Sequence, residues 1–321
     1  MITLSLVVPC YNESAVLHIF MTELKRVLDG LGNVKPEVIF VNDGSRDDTL
    51  SILRELHRSY PDIVRYYSLS RNFGKEGAML AGLTHATGNY VAIMDADLQD
   101  PPALLPDMLK WVTEEGYDCV GTRRSTREGE PPVRSFFARC FYWLINKISD
   151  TKLESGARDY KLLSRRALQA LLSLPERNRF SKGLYEWIGF RTKWLEYHNV
   201  ERAAGETKWS FWKLFRYSLE GILAFSTLPL ALASLLGLLF MAISFIAIVA
   251  LSVRQIVFHD SVDGWTSMVC VILLLSGVQL FFLGVFGQYM AKMYTEIKQR
   301  PNFIIAESSD DEDASLNSAA Q

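Results

Sequence analysis

Residues 90–99 have the sequence Tyr-Val-Ala-Ile-Met-Asp-Ala-Asp-Leu-Gln, in which an apolar run leads directly into two carboxylates. A short apolar run of this kind is typical of a buried strand. Asp95 and Asp97 are therefore predicted to lie where a strand leaves its sheet, and in open α/β sheets ligands bind at that carboxyl edge. The two carboxylates have the same side-chain parity, so both can face one point.

The residue types at this strand end suit a divalent metal ion. The oxygens of Asp95, Asp97 and Gln99 are hard ligands of the kind that Mg²⁺ and Mn²⁺ prefer. Such an ion usually completes its coordination shell with water and substrate phosphates. A single Asp-x-Asp also occurs in polar turns that cap helices, so the predicted metal site depends on the motifs that accompany it.

Strand and helix signals alternate along the first two thirds of the chain. Strands are predicted over residues 4–8, 38–41, 64–69, 90–94 and 119–121, and helices over residues 14–28, 47–56 and 77–84. This alternation favours an α/β domain with a mostly parallel sheet covered by helices. Ser45 and Asp48 have the spacing of a capping box for the second helix.

Polar motifs follow four of these strands and are expected to share one crevice, because the carboxyl ends of parallel strands meet at one edge of a sheet. They are Pro9–Glu13, Asn42–Ser45, Ser70–Lys75 and Asp95–Pro102. Within this crevice, the Asp43 carboxylate could accept a hydrogen bond from the imide N–H of a uracil or from the N1–H of a guanine. The residues alone therefore leave the nucleotide base open.

Composition excludes several classes of protein. The 321 residues are enough for more than one domain, and the net charge of -2 gives no sign of a nucleic-acid-binding protein. The four cysteines are dispersed without a Cys-x-x-Cys pair and are predicted to be free thiols. There is no Gly-x-Gly-x-x-Gly motif, and Gly74-Lys75 is followed by Glu76, which argues against nicotinamide enzymes and P-loop NTPases. No signal peptide is expected, because no basic n-region precedes the first strand.

Two long uncharged segments, residues 221–253 and 265–291, exceed the roughly 20 residues that a membrane span needs. Transmembrane helices are predicted over 228–253 and 265–291, with a short external loop over 254–264; a pair of buried core helices is the alternative. Basic residues flank the pair on its outer sides, so the positive-inside rule assigns domain 1–210 and tail 292–321 to the cytoplasm. Those residues are Lys208, Lys213, Arg216, Lys292, Lys298 and Arg300.

Two further segments are predicted at the membrane surface. Residues 136–148 and the juxtamembrane segment 209–227 mix aromatic with basic side chains, as interfacial amphipathic helices do. For residues 136–148, ordinary core packing is the alternative. The acidic tail from Glu307 onward is predicted to be disordered.

Taken together, these motifs resemble family 2 glycosyltransferases with the GT-A fold. Within that family the chain is most similar to the polyprenyl-phosphate hexosyltransferases, the group of dolichol-phosphate mannose synthase and the bactoprenol glucosyltransferases. The resemblance covers almost the whole chain, as far as Gly287-Gln288-Tyr289 and Arg300-Pro301. It implies a GT-A domain followed by two transmembrane helices.

The resemblance also implies roles for individual residues. Asp95, Asp97 and Gln99 would bind the metal and the sugar diphosphate, Asp159 matches the position of the catalytic base, and Arg123 would contact the acceptor phosphate. The plainer alternatives are a surface ion pair for Arg123 and for Arg202, and a helix cap for Asp159. The nucleotide-binding positions implied by the resemblance are Pro9, Tyr11, Glu13, Val41, Asp43, Asp95 and Ala96, with Arg202 and Lys208 on a mobile loop that binds phosphate.

The implied activity is inverting transfer of a hexose, with glucose from a UDP sugar as the first choice, to undecaprenyl phosphate at a bacterial inner membrane. GDP-mannose and a UDP-linked amino sugar are alternative donors, and Mg²⁺ or Mn²⁺ is the expected cofactor. The resemblance also suggests a homo-oligomer, of which a tetramer is one form. Two rival interpretations are a processive polysaccharide synthase and a non-catalytic membrane scaffold. The first is disfavoured by the missing Gln-x-x-Arg-Trp motif and the second by the intact carboxylates.

Overall fold

The computed structural model describes residues 1–124, 146–147, 154, 156–197, 226–258, 264–311 and 313. Within these residues the chain forms one α/β domain followed by two long apolar helices. The strands are β1 (Ile2–Cys10), β2 (Val34–Asn42), β3 (Val64–Leu69), β4 (Tyr90–Ile93), β5 (Cys119–Arg124), β6 (Ala157–Ser164), β7 (Thr192–Tyr197) and β8 (Ile305–Ser308). The helices are α1 (Leu17–Asp29), α2 (Thr49–Ser59), α3 (Lys75–His85), α4 (Leu105–Thr113), α5 (Arg165–Leu172), α6 (Ser181–Trp187), α7 (Leu228–Phe258) and α8 (Trp265–Lys298).

The strands form one mixed sheet in the order β7-β5-β6-β4-β1-β2-β3-β8. Its centre is parallel, because β1 pairs in parallel with both β2 and β4, and β2 pairs in parallel with β3. Nearer one edge, β5 pairs in parallel with β7. The predicted α/β class with a mostly parallel sheet is confirmed. The antiparallel strand β6 lies between β4 and β5 and brings residues 157–161 beside the end of β4.

The central strands are buried on both faces, as expected for a parallel sheet between helix layers. On one side, α1 buries Leu17, Phe20 and Leu24, which recur at helical spacing. On the other side, α3 lies so close to β1 that a Cβ atom on Gly82 would be 2.3 Å from Cγ1 of Val7. The N-terminal end of α3 is thereby fixed close to the carboxyl ends of the central strands.

Helices α7 and α8 are long and apolar enough to cross a membrane, over Leu228–Ala247 and Val271–Lys298 respectively. The helical structure continues beyond both predicted spans, because α7 includes residues 254–258 and α8 runs to Lys298. The predicted connector therefore begins later than residue 254. Near its end, α8 contacts the α/β domain, where the Glu296 carboxylate accepts backbone N–H bonds from Arg177 and Asn178 at 2.9–3.1 Å.

The prediction of disorder from Glu307 onward is wrong for the described part of the tail. Strand β8 adds to the edge of the sheet, antiparallel to β3. The Glu307 carboxylate accepts hydrogen bonds from Arg54 Nε at 2.7 Å and Nη2 at 2.6 Å, and from the Tyr66 hydroxyl at 2.9 Å. Asp310 is paired with Arg65 in the same manner. The described part of the acidic tail is ordered, because Arg54 and Arg65 pair with its carboxylates.

Several predicted features fall outside the described residues. They include most of segment 136–148, most of segment 209–227, and the final residues from 314 onward. Arg202 and Lys208 also fall there, so their phosphate-binding roles stay predictions.

Candidate active site

The loops after β1 and β2 are tied together at the carboxyl edge of the sheet. The backbone N–H of Asn12 donates to Ser45 Oγ at 2.9 Å, and the Asn12 side chain accepts from the Arg46 N–H at 2.9 Å. Ser45 is thus used between loops, and the predicted capping box with Asp48 does not form. Asp47 instead accepts from the backbone N–H of Thr49 at 3.1 Å. This bracing fixes the loop that carries Pro9, Tyr11 and Glu13.

The predicted nucleotide-binding residues differ in how far they can reach a ligand. Tyr11 is 37% exposed, whereas Val41 and Ala96 are buried in the core at 0% and 3% exposure. Pro9 and Glu13 are half-buried at the rim. Any contact from Val41 or Ala96 would therefore involve mainly the backbone, because their side chains serve packing.

Asp43 fixes the loop between β3 and α3. Its carboxylate is buried and accepts the backbone N–H groups of Phe73 at 2.7 Å and Gly74 at 3.0 Å. Burial raises the pKa of Asp43, although these two hydrogen bonds oppose the shift. Gly74 has φ +89°, a conformation that favours glycine. The predicted contact of Asp43 with a nucleotide base would use the remaining lone pairs of its oxygens.

The centre of the site is an ion-pair cluster around Lys75, the first residue of α3. Its ammonium lies 2.7 Å from Oδ1 and 2.8 Å from Oδ2 of Asp95, and 2.5 Å from Oδ2 of Asp159. Extending the β4–β6 register from the pair Ile93 and Lys161 by two residues on each strand also places Asp95 opposite Asp159. The structure therefore brings the predicted metal ligand Asp95 and the predicted base Asp159 together.

Electrostatics in this cluster keep Asp159 ionised. Burial alone would raise the pKa of Asp159, but Lys75 and Lys182 outweigh it and hold that pKa well below the ordinary value of 3.8. Lys182 Nζ lies 3.8 Å from Asp159 Oδ1. Burial alone would lower the pKa of Lys75, but the carboxylates of Asp159 and Asp95 outweigh burial, and the pKa of Lys75 is raised. Burial raises the pKa of Asp95, although Lys75 opposes the shift. The cluster therefore joins a firmly ionised Asp159 and a charged ammonium to a second carboxyl group whose pKa is raised.

A second polar cluster, formed by Asp100, Arg158 and Tyr197, supports the turn that carries Asp95 and Asp97. Asp100 is completely buried and accepts a hydrogen bond from Arg158 Nε at 2.9 Å and one from the Tyr197 hydroxyl. Arg158 also reaches Oε1 of Gln99 at 3.5 Å. Within the turn, Asp97 Oδ1 accepts the Gln99 N–H at 3.1 Å. These contacts hold the predicted metal-ligating segment in a defined conformation.

The residues present fit a divalent ion that is only partly coordinated by protein. Among the described residues, no three or more His, Cys, Asp and Glu side chains converge as in a site built from protein ligands alone. Two carboxylates at a strand end, beside the amide of Gln99, match the sparse protein ligation of Mg²⁺, whose other ligands are water and substrate phosphates. Asp95, Asp97 and Gln99 are thus the residues that would hold it.

Arg123 lies outside the Lys75 cluster. Its guanidinium on β5 forms ion pairs with Glu154 and Glu196, and β6 separates β5 from β4 in the sheet. This is the surface-pair arrangement considered above as the plainer alternative. These carboxylates use three of the five guanidinium N–H donors, so an acceptor phosphate would compete with them for Arg123, and the role of Arg123 stays a prediction.

Four residues that the structure brings to the site are not among the predicted ones, namely Lys75, Asp100, Arg158 and Lys182. Lys75 lies in one of the strand-end motifs, but the only motif to which its Gly-Lys pair points is a P-loop, which is absent. Arg158 is the neighbour of Asp159 and points to Asp100 and Gln99. Asp100 closes the Asp-Ala-Asp-Leu-Gln-Asp stretch. Lys182 had no recognisable signal, because α6 approaches the site only through the fold.

Comparison with known proteins assigns the family. Residues 5–172 match the family described as Glycosyl transferase family 2. The chain is 41% identical over 303 residues to the Prophage bactoprenol glucosyl transferase homolog of Escherichia coli (strain K12), covering 94% of this chain and 98% of that protein. It is also 41% identical over 306 residues to the SfII prophage-derived bactoprenol glucosyl transferase of Shigella flexneri, covering 95% and 98%.

Solved structures are more distant. Glucosyl-3-phosphoglycerate synthase from Mycobacterium tuberculosis, in complex with Mn²⁺, UDP-glucose and phosphoglyceric acid, is 22% identical with a TM-score of 0.46, covering 69% of this chain and 78% of that one. The family match includes most of β1, all of β2 to β6, and every residue of the Lys75 cluster except Lys182. The chain belongs to glycosyl transferase family 2 and has a GT-A-like fold.

Proposed function

We propose that this protein transfers glucose from a UDP sugar to undecaprenyl phosphate and forms a lipid-linked monophosphosugar. The observation that carries the proposal is the pairing of the Asp95 and Asp159 carboxylates around Lys75 at the end of β4. The names of the full-length relatives, which are bactoprenol glucosyl transferases, support glucose and a prenyl carrier. The two apolar helices α7 and α8 support a lipid acceptor.

The donor is the part of the reaction for which Asp95, Asp97 and Gln99 are proposed. A divalent ion bound there would neutralise the charge that develops on the leaving diphosphate, as Lewis acids do. The braced loops after β1 and β2 would hold the nucleotide through Pro9, Tyr11, Glu13 and Asp43. Arg202 and Lys208 are proposed to contact the donor phosphates.

The acceptor phosphate needs orientation more than deprotonation. A phosphate monoester has a second pKa of about 6, so most of it has lost both protons at neutral pH. Asp159 has a lowered pKa and holds a proton weakly, which favours an orienting role over that of a strong base. Lys75 and Lys182 flank Asp159 with positive charge and would offset the repulsion between its carboxylate and the phosphate. Arg123 is proposed as a further contact.

Direct displacement at the anomeric carbon would invert its configuration. An α-linked donor would then give a β-linked lipid phosphosugar, and NMR of the product can distinguish the two anomers. We further propose that α7 and α8 anchor the chain in the bacterial inner membrane with the α/β domain in the cytoplasm, and that the protein forms a homo-oligomer.

The test uses purified protein in detergent with undecaprenyl phosphate, Mg²⁺ or Mn²⁺, and a panel of sugar nucleotides that includes UDP-glucose, GDP-mannose and UDP-linked amino sugars. Mass spectrometry of the lipid identifies the donor. Asp97→Ala is expected to abolish product, whereas Asp107→Ala, which removes an exposed carboxylate on α4, should leave it intact. A protein that binds UDP but glycosylates no polyprenyl phosphate would refute the proposed acceptor. Loss of UDP binding as well would favour a scaffold.

A further inference from the structure

Lys75 occupies a position that helix stability does not explain. It is the first residue of α3, where the helix dipole disfavours a positive charge. Its ammonium nevertheless contacts both oxygens of Asp95 and one of Asp159, all within 2.8 Å. An ammonium has only three donors, so these contacts engage its full hydrogen-bonding capacity. The residue is placed for its contacts with the two carboxylates.

The backbone on both sides of Lys75 is fixed. Before it, Asp43 holds the N–H groups of Phe73 and Gly74. After it, the Glu76 carboxylate accepts one hydrogen bond from the backbone N–H of Ser181 at 3.0 Å and another from the Ser181 hydroxyl. The remainder of α3 packs closely on β1 through Gly82. The ammonium is thus delivered to the carboxylates by a preorganised segment.

We propose that Lys75 is a positioning residue with two effects, holding Asp159 beside the end of β4 and competing with the divalent ion for Asp95. Both Asp95 oxygens are within bonding distance of the ammonium, so an ion bound by Asp95 competes with the ammonium for the same oxygens. Asp159 retains Lys75 through the remaining contact. The inference rests on the proposed function, because it assigns the ion to Asp95.

The consequence is that ion and donor should bind together. An ammonium and a divalent cation repel each other when both lie beside Asp95, and the repulsion is strong in a half-buried site. The diphosphate of the donor supplies negative charge that offsets both cations. Lys75 would therefore weaken binding of the ion alone and make tight binding depend on the nucleotide.

The test measures Mn²⁺ binding by electron paramagnetic resonance of purified protein in detergent, with and without UDP. Lys75→Met keeps most of the side-chain stem and removes the charge. We expect it to bind Mn²⁺ about tenfold more tightly than the wild type without UDP, by loss of a nearby like charge. The enhancement of Mn²⁺ binding by UDP should shrink by the same factor.

Lys182→Met is the matched control. It removes an ammonium that lies 3.8 Å from Asp159 and also donates to the Ala157 carbonyl at 3.2 Å. Its effect on Mn²⁺ affinity should stay below about threefold, because its 3.8 Å contact is with Asp159 and not with Asp95, the carboxylate proposed to bind the ion. An equal gain in both variants would overturn the specific role of Lys75, and so would unchanged or weaker Mn²⁺ binding by Lys75→Met.

Two additions keep the result interpretable. Lys75→Gln retains hydrogen-bond donors without the charge and should reproduce the tighter Mn²⁺ binding if Lys75→Met does not fold. In the transfer assay, Lys75→Met should lower kcat more than it raises KM for the lipid, because Asp159 loses its anchor. The Mn²⁺ titration contains no lipid acceptor, so it remains valid even if the proposed transfer to undecaprenyl phosphate fails.

Discussion

Removing the Glu307 carboxylate should release β8 from the sheet. Glu307→Ala deletes the bidentate pair with Arg54 and the hydrogen bond from Tyr66. A partly exposed ion pair of good geometry contributes up to about 1 kcal/mol, and the hydroxyl hydrogen bond adds about 1 kcal/mol. The total of about 2 kcal/mol corresponds to a roughly 30-fold increase in local opening.

Hydrogen–deuterium exchange with mass spectrometry reads this opening directly and needs no global unfolding of a membrane protein. Peptides that cover residues 304–308 should exchange about 30-fold faster in Glu307→Ala. Glu55→Ala, which removes an exposed carboxylate beside Arg54 on α2, should leave them unchanged. An acceleration of less than about threefold would mean that backbone pairing with β3 alone holds the strand, and the reasoning from Glu307 would be refuted.

Three further changes test the packing and charge of the domain. Gly82→Ala places a Cβ atom 2.3 Å from Val7 Cγ1 and should destabilise the domain by about 1–3 kcal/mol. The measurement is a lower Tm, and an unchanged Tm would contradict the close contact between α3 and β1. Burial raises the pKa of Glu37, but hydrogen bonds from Ser5, Thr87 and Arg65 outweigh it and lower that pKa below 4.5. The stabilisation is therefore present above pH 4.5 and lost as pH falls through the lowered pKa, so the Tm difference between wild type and Glu37→Gln should shrink on acidification. Lys161→Met should cost at least about 1 kcal/mol, measured by Tm, because it leaves the Glu186 carboxylate without the ammonium 3.0 Å away; a Tm equal to the wild type would contradict this.

The sequence predicts those parts of the fold that carry a local apolar signal. Strand β3 occupies residues 64–69 as expected, whereas β2 begins at Val34 rather than at residue 38. The four additional residues include the charged Lys35 and Glu37 and so break the apolar run, and they are extended because residues 34–37 pair with residues 2–5 of β1. Such non-local pairing leaves no periodicity for a sequence pattern to reveal.

The same limit applies to the site. Asp95 and Asp97 could be recognised because they follow their own strand. Asp159 could be assigned only by resemblance, since its place opposite Asp95 depends on the antiparallel register of β6. Lys75 reaches the carboxylates because α3 packs closely on β1. The positions of Glu307 and Asp310 in the acidic tail likewise depend on arginines about 250 residues earlier in the chain.

Strand β8 also limits how far the α/β domain can lie from the membrane. Only residues 299–304 connect the end of α8 at Lys298 to the start of β8 at Ile305. At most about 3.6 Å per residue, this connection spans no more than about 25 Å. If α8 crosses the bilayer as proposed, the outer edge of the sheet is tethered within that reach of its last turn, and a lipid phosphate would have to rise only a short way from the membrane surface to meet the domain.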